Sequence, residues 1–254
     1  MDVAVMGSKT EKNLLNERIN IPGKKTYEEV FDKRTIQEMY NLMKDRVIET
    51  LECPISTGKE AKVFKGKQKD GTFVAVKVMR INTSVFRKYK KYIEGDHRFQ
   101  DLPGGTKLIH TWTKKEFSNL TRMHKAGIKV PEPIAFSKNI LVMEYLQEED
   151  FPAPMLKDVE LKPRYMKFIC DKVIEYMDIL HNEIKMVHGD ISEFNILISE
   201  GFPYLIDVSQ SVPLDHPEAR NLLERDINNL VRYFSNNGVE ISVDSVKEKL
   251  GLKE

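Results

Sequence analysis

The hydrophobic period of this chain changes part-way along, and that change limits what it can fold into more than any other feature. Up to about residue 145 the apolar residues mark short β-forming runs at 62–67, 73–79, 134–136 and 140–145. The first two flank Lys69-Asp70-Gly71-Thr72, an Asp-Gly turn signal, and so read as a hairpin. Beyond about residue 155 the apolar residues recur at helical spacing. Tyr165, Phe168, Ile169, Val173, Met177 and Leu180 line one long helix. Leu222, Leu223, Ile227, Leu230, Val231 and Phe234 line another, which Gly238 can end. Short strands at 196–198 and 204–206 surround Gly201. Two helices interrupt the strand-rich half. One is expected near 35–50, from Ile36, Met39, Tyr40, Met43 and Val47, with Pro54 blocking its continuation. Capping-box patterns stand at Thr26–Glu29 and Thr35–Glu38. The other covers 113–125, with Gly127 as its stop. Residues 80–110 are charged and broken by Gly95, Pro103, Gly104 and Gly105, so they read as a long loop; residues 1–25 read as loosely structured. The expected class is α+β, a β-rich half at 26–146 and a mainly helical half at 147–254.

Composition narrows the function classes. The 254 residues suffice for one large domain or two lobes. Forty Lys and Arg stand against thirty-nine Asp and Glu, which argues against a uniformly basic, polyanion-coating protein. Cys53 and Cys170 are far apart and form no CxxC pair, so neither a disulfide framework nor a cysteine zinc site is expected, and a reducing cytoplasm fits. No apolar run is long enough to span a membrane.

The chemistry concentrates in Val187-His188-Gly189-Asp190-Ile191-Ser192-Glu193-Phe194-Asn195-Ile196-Leu197. Asp190 and Asn195, five positions apart, fall on a loop between a helix and a short strand. A carboxylate there can orient a hydroxyl or water and accept its proton. The amide oxygen of Asn195 suits Mg²⁺, a hard cation that takes oxygen ligands. Asp207, at the end of the next strand, would be a second such ligand. Alone, Asp190 and Asn195 read as turn caps; the whole string with Asp207 tips the balance toward a metal-phosphate site. Lys77 ends an alternating strand, and by itself reads as a solvated edge lysine. With Glu116 on the following helix as its ion-pair partner, it can instead contact α- and β-phosphates; Lys114 and Lys115 beside Glu116 also allow a plain charged face. Upstream, Ser56-Thr57-Gly58-Lys59-Glu60-Ala61-Lys62-Val63 places Ser56, Gly58 and Ala61 on the glycine positions of a GxGxxGxV loop and Val63 on its valine. Small residues there let backbone amides approach phosphate. Finally, 141–146 reads either as a core strand or as a hinge offering the Glu144 and Leu146 backbone to a planar base.

This order of loop, lysine, glutamate, hinge and three polar loop residues resembles the protein-kinase fold. In detail, STGKEAKVFKG, HGDISEFNILI and LIDVSQSV look like the RIO family's versions of the kinase motifs, and the short phosphate loop, the basic insertion and SQSV favour its first subfamily. The resemblance covers roughly residues 26–236. It implies a two-lobed fold without the activation and peptide-docking subdomains. It implies ATP as the nucleotide, with Mg²⁺, or Mn²⁺ in its place, held by Asn195 and Asp207. Asp190 would be the catalytic aspartate, and Asp207 would accept a phosphoryl group transiently. Lys77 would hold the phosphates, with Ser56 and Lys59 near the triphosphate. The implied partner is a pre-40S or 30S-type small ribosomal subunit particle and its rRNA. His-Gly-Asp replaces His-Arg-Asp, and Ile-Asp-Val replaces Asp-Phe-Gly. Two alternatives share parts of this pattern. Small-molecule phosphotransferases of the aminoglycoside or choline kinase kind also use His-Gly-Asp, but with a larger C-terminal lobe. A non-catalytic RNA-docked pseudokinase would not be expected to retain all of Lys77, Asp190, Asn195 and Asp207. Between Lys77 and Gln100 seven basic residues face two acidic ones, a local net of +5, with Phe86, Tyr89, Tyr92 and Phe99 interleaved. That stretch reads as an RNA-tracking surface or as a solvated loop, and its Thr83 and Ser84 are candidate self-phosphorylation sites.

Overall fold

The computed structural model describes residues 31–81, 87–99, 104–149 and 151–252. The segment 1–25, the capping box at Thr26–Glu29, and Thr83 and Ser84 lie outside the described residues. The described residues form two compact units. The first takes those from 31 to 81, 105–114 and 133–145; the second takes 87–99, 104, 115–132 and those from 146 on.

The first unit is a five-stranded antiparallel sheet, ordered β1-β2-β3-β5-β4, with helix α1 against it. Its strands are β1 (Thr50–Thr57), β2 (Ala61–Lys67), β3 (Phe73–Met79), β4 (Pro133–Ser137) and β5 (Ile140–Glu144). The hairpin β2–β3 forms as expected: Gly71 takes a φ of 95° and Asp70 Oδ1 accepts the Thr72 N–H at 2.9 Å. β1 was not expected as a strand. Pro54 is tolerated in it because β1 lies at the sheet edge and its register shifts on both sides of Pro54. Helix α1 spans Lys33–Lys44, not 35–50. Arg46 takes a left-handed φ of 61°, which turns the chain out of the helix, so Val47 packs from a turn instead. The cap differs too: Asp32 accepts the Thr35 N–H at 2.7 Å. Thr35 and Glu38 serve the core, Thr35 Oγ1 accepting from Asn139 and Glu38 from Ser137 and Lys138. Met39, Leu42 and Met43 of α1 pack against Leu51, Phe64, Val74, Val76, Val78, Ile140 and Val142.

Helix α2 (Thr106–Lys125) begins seven residues earlier than the sequence suggested, and a 3₁₀ turn covers Arg87–Tyr92, so 80–110 is not one long loop. Leu108, Ile109 and Trp112 account for the early start: their burial outweighs the polar residues between them. The second unit is mainly helical, with α3 (Pro163–Asp178), α4 (Ala219–Asn236) and α5 (Val243–Lys249). Proline opens α3 at a position where the missing N–H costs nothing. Short antiparallel pairs complete the unit: β6 (Gln147–Glu148) with β7 (Phe151–Pro152), β8 (Met186–Val187) with β11 (Val212–Pro213), and β9 (Ile196–Ser199) with β10 (Phe202–Leu205). Ile169, Val173 and Met177 of α3 and Leu222, Ile227, Leu230 and Phe234 of α4 are buried, as their spacing predicted; Tyr165 and Phe168 are only half-buried, and Met166 is buried beside them. No helix among the described residues is long and apolar enough to cross a membrane.

Candidate active site

The second unit gathers Asp190, Asn195 and Asp207. Just past β8, His188 is buried, and its Nδ1 accepts the Asp190 backbone N–H at 3.2 Å. Burial pushes the imidazole down to about 4, outweighing the pull of the Asp207 carboxylate toward the charged form. Gly189 follows with a φ of 82°, and a Cβ there would meet the Gln210 carbonyl oxygen at 3.1 Å. Glycine is therefore required, which explains why His-Gly-Asp stands where an arginine is usual. The loop is pinned from α4 by the buried Asp226, which accepts the backbone N–H of Gly189 at 2.7 Å and of Ile191 at 2.9 Å. Burial raises the Asp226 carboxyl to about 7 against those two donors. Arg225 donates to the Gly189 carbonyl from the same helix.

These contacts present Asp190 half-buried. Its Oδ2 accepts from Asn195 Nδ2 at 2.9 Å and from Gln210 Nε2 at 3.1 Å, and Arg225 Nη2 lies 3.6 Å from Oδ1. Burial raises its pKa; Arg225 opposes that, the Asp207 charge adds to it, and the Asn195 bond opposes it. A carboxylate whose pKa is raised is a stronger proton acceptor than an ordinary one.

Asn195 ties this loop to the next. Its side chain also donates to the Asp190 carbonyl at 2.9 Å, and its own carbonyl accepts the Ile206 N–H at 3.0 Å. That bond continues the β9–β10 pairing one step beyond β10, which itself ends at Leu205, one residue short of the expected strand end. Asp207 then adopts a left-handed conformation, φ 56° and ψ 55°, which aspartate tolerates better than most residues. Its Oδ1 accepts from Ser209 Oγ at 3.0 Å, in a 3₁₀ turn over Val208–Gln210. The Asn195 amide nitrogen is spent on Asp190, so its oxygen is the donor left for a cation. No group of three or more His, Cys, Asp or Glu among the described residues could hold a metal alone. One amide oxygen and one carboxylate instead fit Mg²⁺ that completes its shell with water and phosphate oxygens.

Most of the residues expected at the phosphates and the base lie in the first unit. Ser56 and Lys59 are exposed at the β1–β2 turn, closed by the Gly58 N–H donating to the Ala61 carbonyl at 2.9 Å. Val63 registers with both Ser56 and Lys77. Lys77 is half-buried on β3, the central strand, not on an edge. Glu144 ends β5, opposite Val74. Leu146 opens the second unit, and its carbonyl accepts from the Ala153 N–H at 3.0 Å. Glu116 is buried on α2, within the second unit. Sequence reasoning missed Asp226, whose four-residue spacing from Leu222 and Leu230 put a carboxylate on the apolar face of α4. It also missed Lys115, read as part of a charged face but fully buried.

A profile of the RIO domain matches residues 62–247, a span that holds Lys77, Asp190, Asn195 and Asp207. The chain belongs to the RIO family of serine/threonine-protein kinases. It is 41% identical over 226 residues to the RIO-type serine/threonine-protein kinase Rio1 of Haloferax volcanii, covering 88% of this chain and 77% of that protein. It is 36% identical over 219 residues to human serine/threonine-protein kinase RIO1, covering 85% of this chain but only 39% of the human protein. By family it is thus a phosphotransferase of the RIO type. Among solved structures it resembles the Rio2 kinase–ADP/Mg²⁺–phosphoaspartate complex of Chaetomium thermophilum, with a TM-score of 0.65 at 23% identity, over 86% of this chain and 66% of that one. That likeness establishes the α+β protein-kinase-like fold.

Proposed function

We propose that this RIO kinase binds ATP with Mg²⁺, transfers the γ-phosphoryl group to its own Asp207, and uses the resulting cycle in maturation of the small ribosomal subunit. The observation that carries this is the joining of the Asp190 and Asp207 loops through Asn195, whose amide donates to one and whose carbonyl accepts from the other. Residues 26–146 and 147–254 serve as the two lobes. Lys77 engages the α- and β-phosphates, with Ser56, Lys59 and Val63 at the phosphate loop and Glu116 orienting Lys77. Glu144 and the Leu146 N–H hold the base. Bound Mg²⁺, or Mn²⁺ in its place, held by Asn195 and Asp207, neutralises phosphate charge. An Asp207 carboxylate oxygen attacks the γ-phosphorus, the bond to the β-phosphate oxygen breaks, and ADP leaves. Water then attacks the phosphorus of the aspartyl phosphate, Asp190 accepts its proton, the bond from phosphorus to the Asp207 oxygen breaks, and inorganic phosphate leaves the regenerated Asp207 carboxylate. The RIO kinase name of the relatives and the phosphoaspartate in the Rio2 complex support this reading. A serine or threonine acceptor, including Thr83 or Ser84 of this chain, would use Asp190 in the same way. The basic stretch 77–100 is the surface proposed for rRNA. The free cysteines Cys53 and Cys170 accord with a reducing, cytoplasmic setting.

The test is ATP turnover with a label on the γ-phosphate. Wild type should become labelled, and hydroxylamine, which cleaves acyl phosphates, should remove the label. Asp207→Asn should carry none, and Asp190→Asn should slow turnover about 10²–10⁴-fold. Undiminished turnover by Asp207→Asn would sink the assignment of Asp207. A hydroxylamine-stable label would identify a hydroxyl acceptor instead.

A further inference from the structure

Lys115 and Asn119 lie one turn apart on α2, and both are closed to solvent. A buried ammonium is costly unless paired and hydrogen-bonded. Lys115 is both. Its Nζ lies 3.4 Å from Asp96 Oδ2, both side chains wholly buried, and donates to the Ser211 backbone carbonyl. Asp96 in turn accepts from Arg98 Nε at 2.8 Å and Nη2 at 2.7 Å. Asn119 Nδ2 donates to the Val208 carbonyl at 2.8 Å and to the Ser211 carbonyl at 3.0 Å, while its Oδ1 accepts from Arg98 Nη1 at 3.0 Å. Ser211 Oγ donates to the His188 carbonyl at 2.8 Å.

Lys115 and Asn119 thus both donate to the turn that follows Asp207. The turn is then linked by Ser211 to the loop that carries Asp190. An apolar side chain of similar length would fill the space of Lys115 without the cost of burying a charge. The lysine supplies what a methionine lacks, a donor to a backbone carbonyl four residues after Asp207. Asp207 Oδ1 accepts from Ser209 Oγ, within that turn, at 3.0 Å, so the orientation of its carboxylate follows that of the turn. We propose that Lys115 and Asn119 are positioning residues for the phosphoryl chemistry: they lock the Val208–Ser211 turn and so aim the Asp207 carboxylate, with Asp96 as the counter-charge to Lys115 and Arg98 holding Asp96 and Asn119 in place. This rests on the reading of Asp207 as the metal-binding and phosphorylated residue. Groups that orient a metal ligand from behind typically govern metal affinity or activity by about 10–100-fold.

The experiment measures, for the full chain well below each variant's unfolding midpoint, ATP turnover against Mg²⁺ concentration and, without turnover, the Mg²⁺ dependence of ADP binding by calorimetry. Lys115→Met and Asn119→Ala should each lower kcat about 10–100-fold and raise the Mg²⁺ half-saturation about tenfold, with KM for ATP nearly unchanged. Should Lys115→Met fail to fold, Lys115→Met with Asp96→Asn removes both buried charges and is measured instead, with the same loss expected. Turnover and Mg²⁺ response like wild type in Asn119→Ala or the double variant, even with a lowered midpoint, would overturn the proposal and leave only a stabilising role. Asp207→Asn is run beside them. If it retains turnover, the reading of Asp207 fails; if it is inactive while the α2 variants are normal, the positioning role alone fails.

Discussion

His188 accepts the Asp190 backbone N–H through Nδ1, which only an imidazole without a proton on that nitrogen can do. Its folded pKa is pushed from 6.5 down to about 4. Between those values the unfolded chain binds a proton that the folded chain refuses, so stability present above pH 6.5 is lost as the pH falls toward 4. The loss amounts to roughly 3 kcal/mol at most. His188→Asn keeps an acceptor for the same N–H and removes the titration. In urea unfolding across that window the variant should lose about 3 kcal/mol less than wild type. Identical pH slopes would show that His188 titrates normally. At this scale the motif residues were legible because their chemical types are restrictive: an amide and a carboxylate at a phosphate site have few substitutes. Gly189 was legible as a letter only. The reason for it, the Gln210 carbonyl 3.1 Å from a would-be Cβ, depends on a contact across twenty-one residues of chain.

Among the elements, α4 shows how function is supported from the core. Its apolar stripe was plain in the sequence, and Asp226 sits on that stripe between Leu222 and Leu230. A carboxylate at a core position signals a buried partner, but which backbone it holds is a matter of tertiary packing. Asp226→Ala leaves the N–H groups of Gly189 and Ile191 without their acceptor, each worth about 1–3 kcal/mol when buried. It also frees the loop that presents Asp190, and a displacement near 1 Å costs about 100-fold in rate. The variant should show a lowered unfolding midpoint and a kcat reduced by about two orders of magnitude, with KM for ATP nearly unchanged. Steady-state kinetics on folded material checks this, and a kcat like wild type would separate Asp226 from catalysis. Periodicity showed helices α1 to α4 and the strands β2 to β5, β9 and β10, but not β1, the two-residue strands or α5, and it did not fix boundaries. α1 stops at Lys44 because Arg46 turns left-handed, and α2 starts at Thr106 because Trp112 and its neighbours are buried. Neither cause leaves a local trace.

For the whole molecule, the near balance of forty basic and thirty-nine acidic residues hides its distribution. The stretch 77–100 keeps its +5, yet its charges have different duties. Arg98 is consumed by Asp96 and Asn119, and Lys77 lies within the central strand β3. Lys90 pairs with Glu94 at 2.7 Å, but both are exposed, and such a pair is worth too little to compete with a phosphate. By sequence, the cations proposed for a polyanion are Arg87, Lys88, Lys90 and Lys91. Periodicity could not separate these roles, because the burial of Arg98 depends on α2, distant in sequence. Reversing those four residues to Glu should weaken binding to a small-subunit rRNA fragment. Because each neutralised phosphate releases its counterions, the slope of log affinity against log salt should flatten by about 0.7–0.9 for each phosphate the variant no longer binds. ATP turnover should stay at the wild-type level, since none of the four belongs to the nucleotide machinery. A titration of the labelled fragment at several salt concentrations checks both affinity and slope. Unchanged values would remove RNA from this segment, and a matching fall in ATP turnover would mean the substitutions had disturbed the Asp96–Lys115 assembly that follows it.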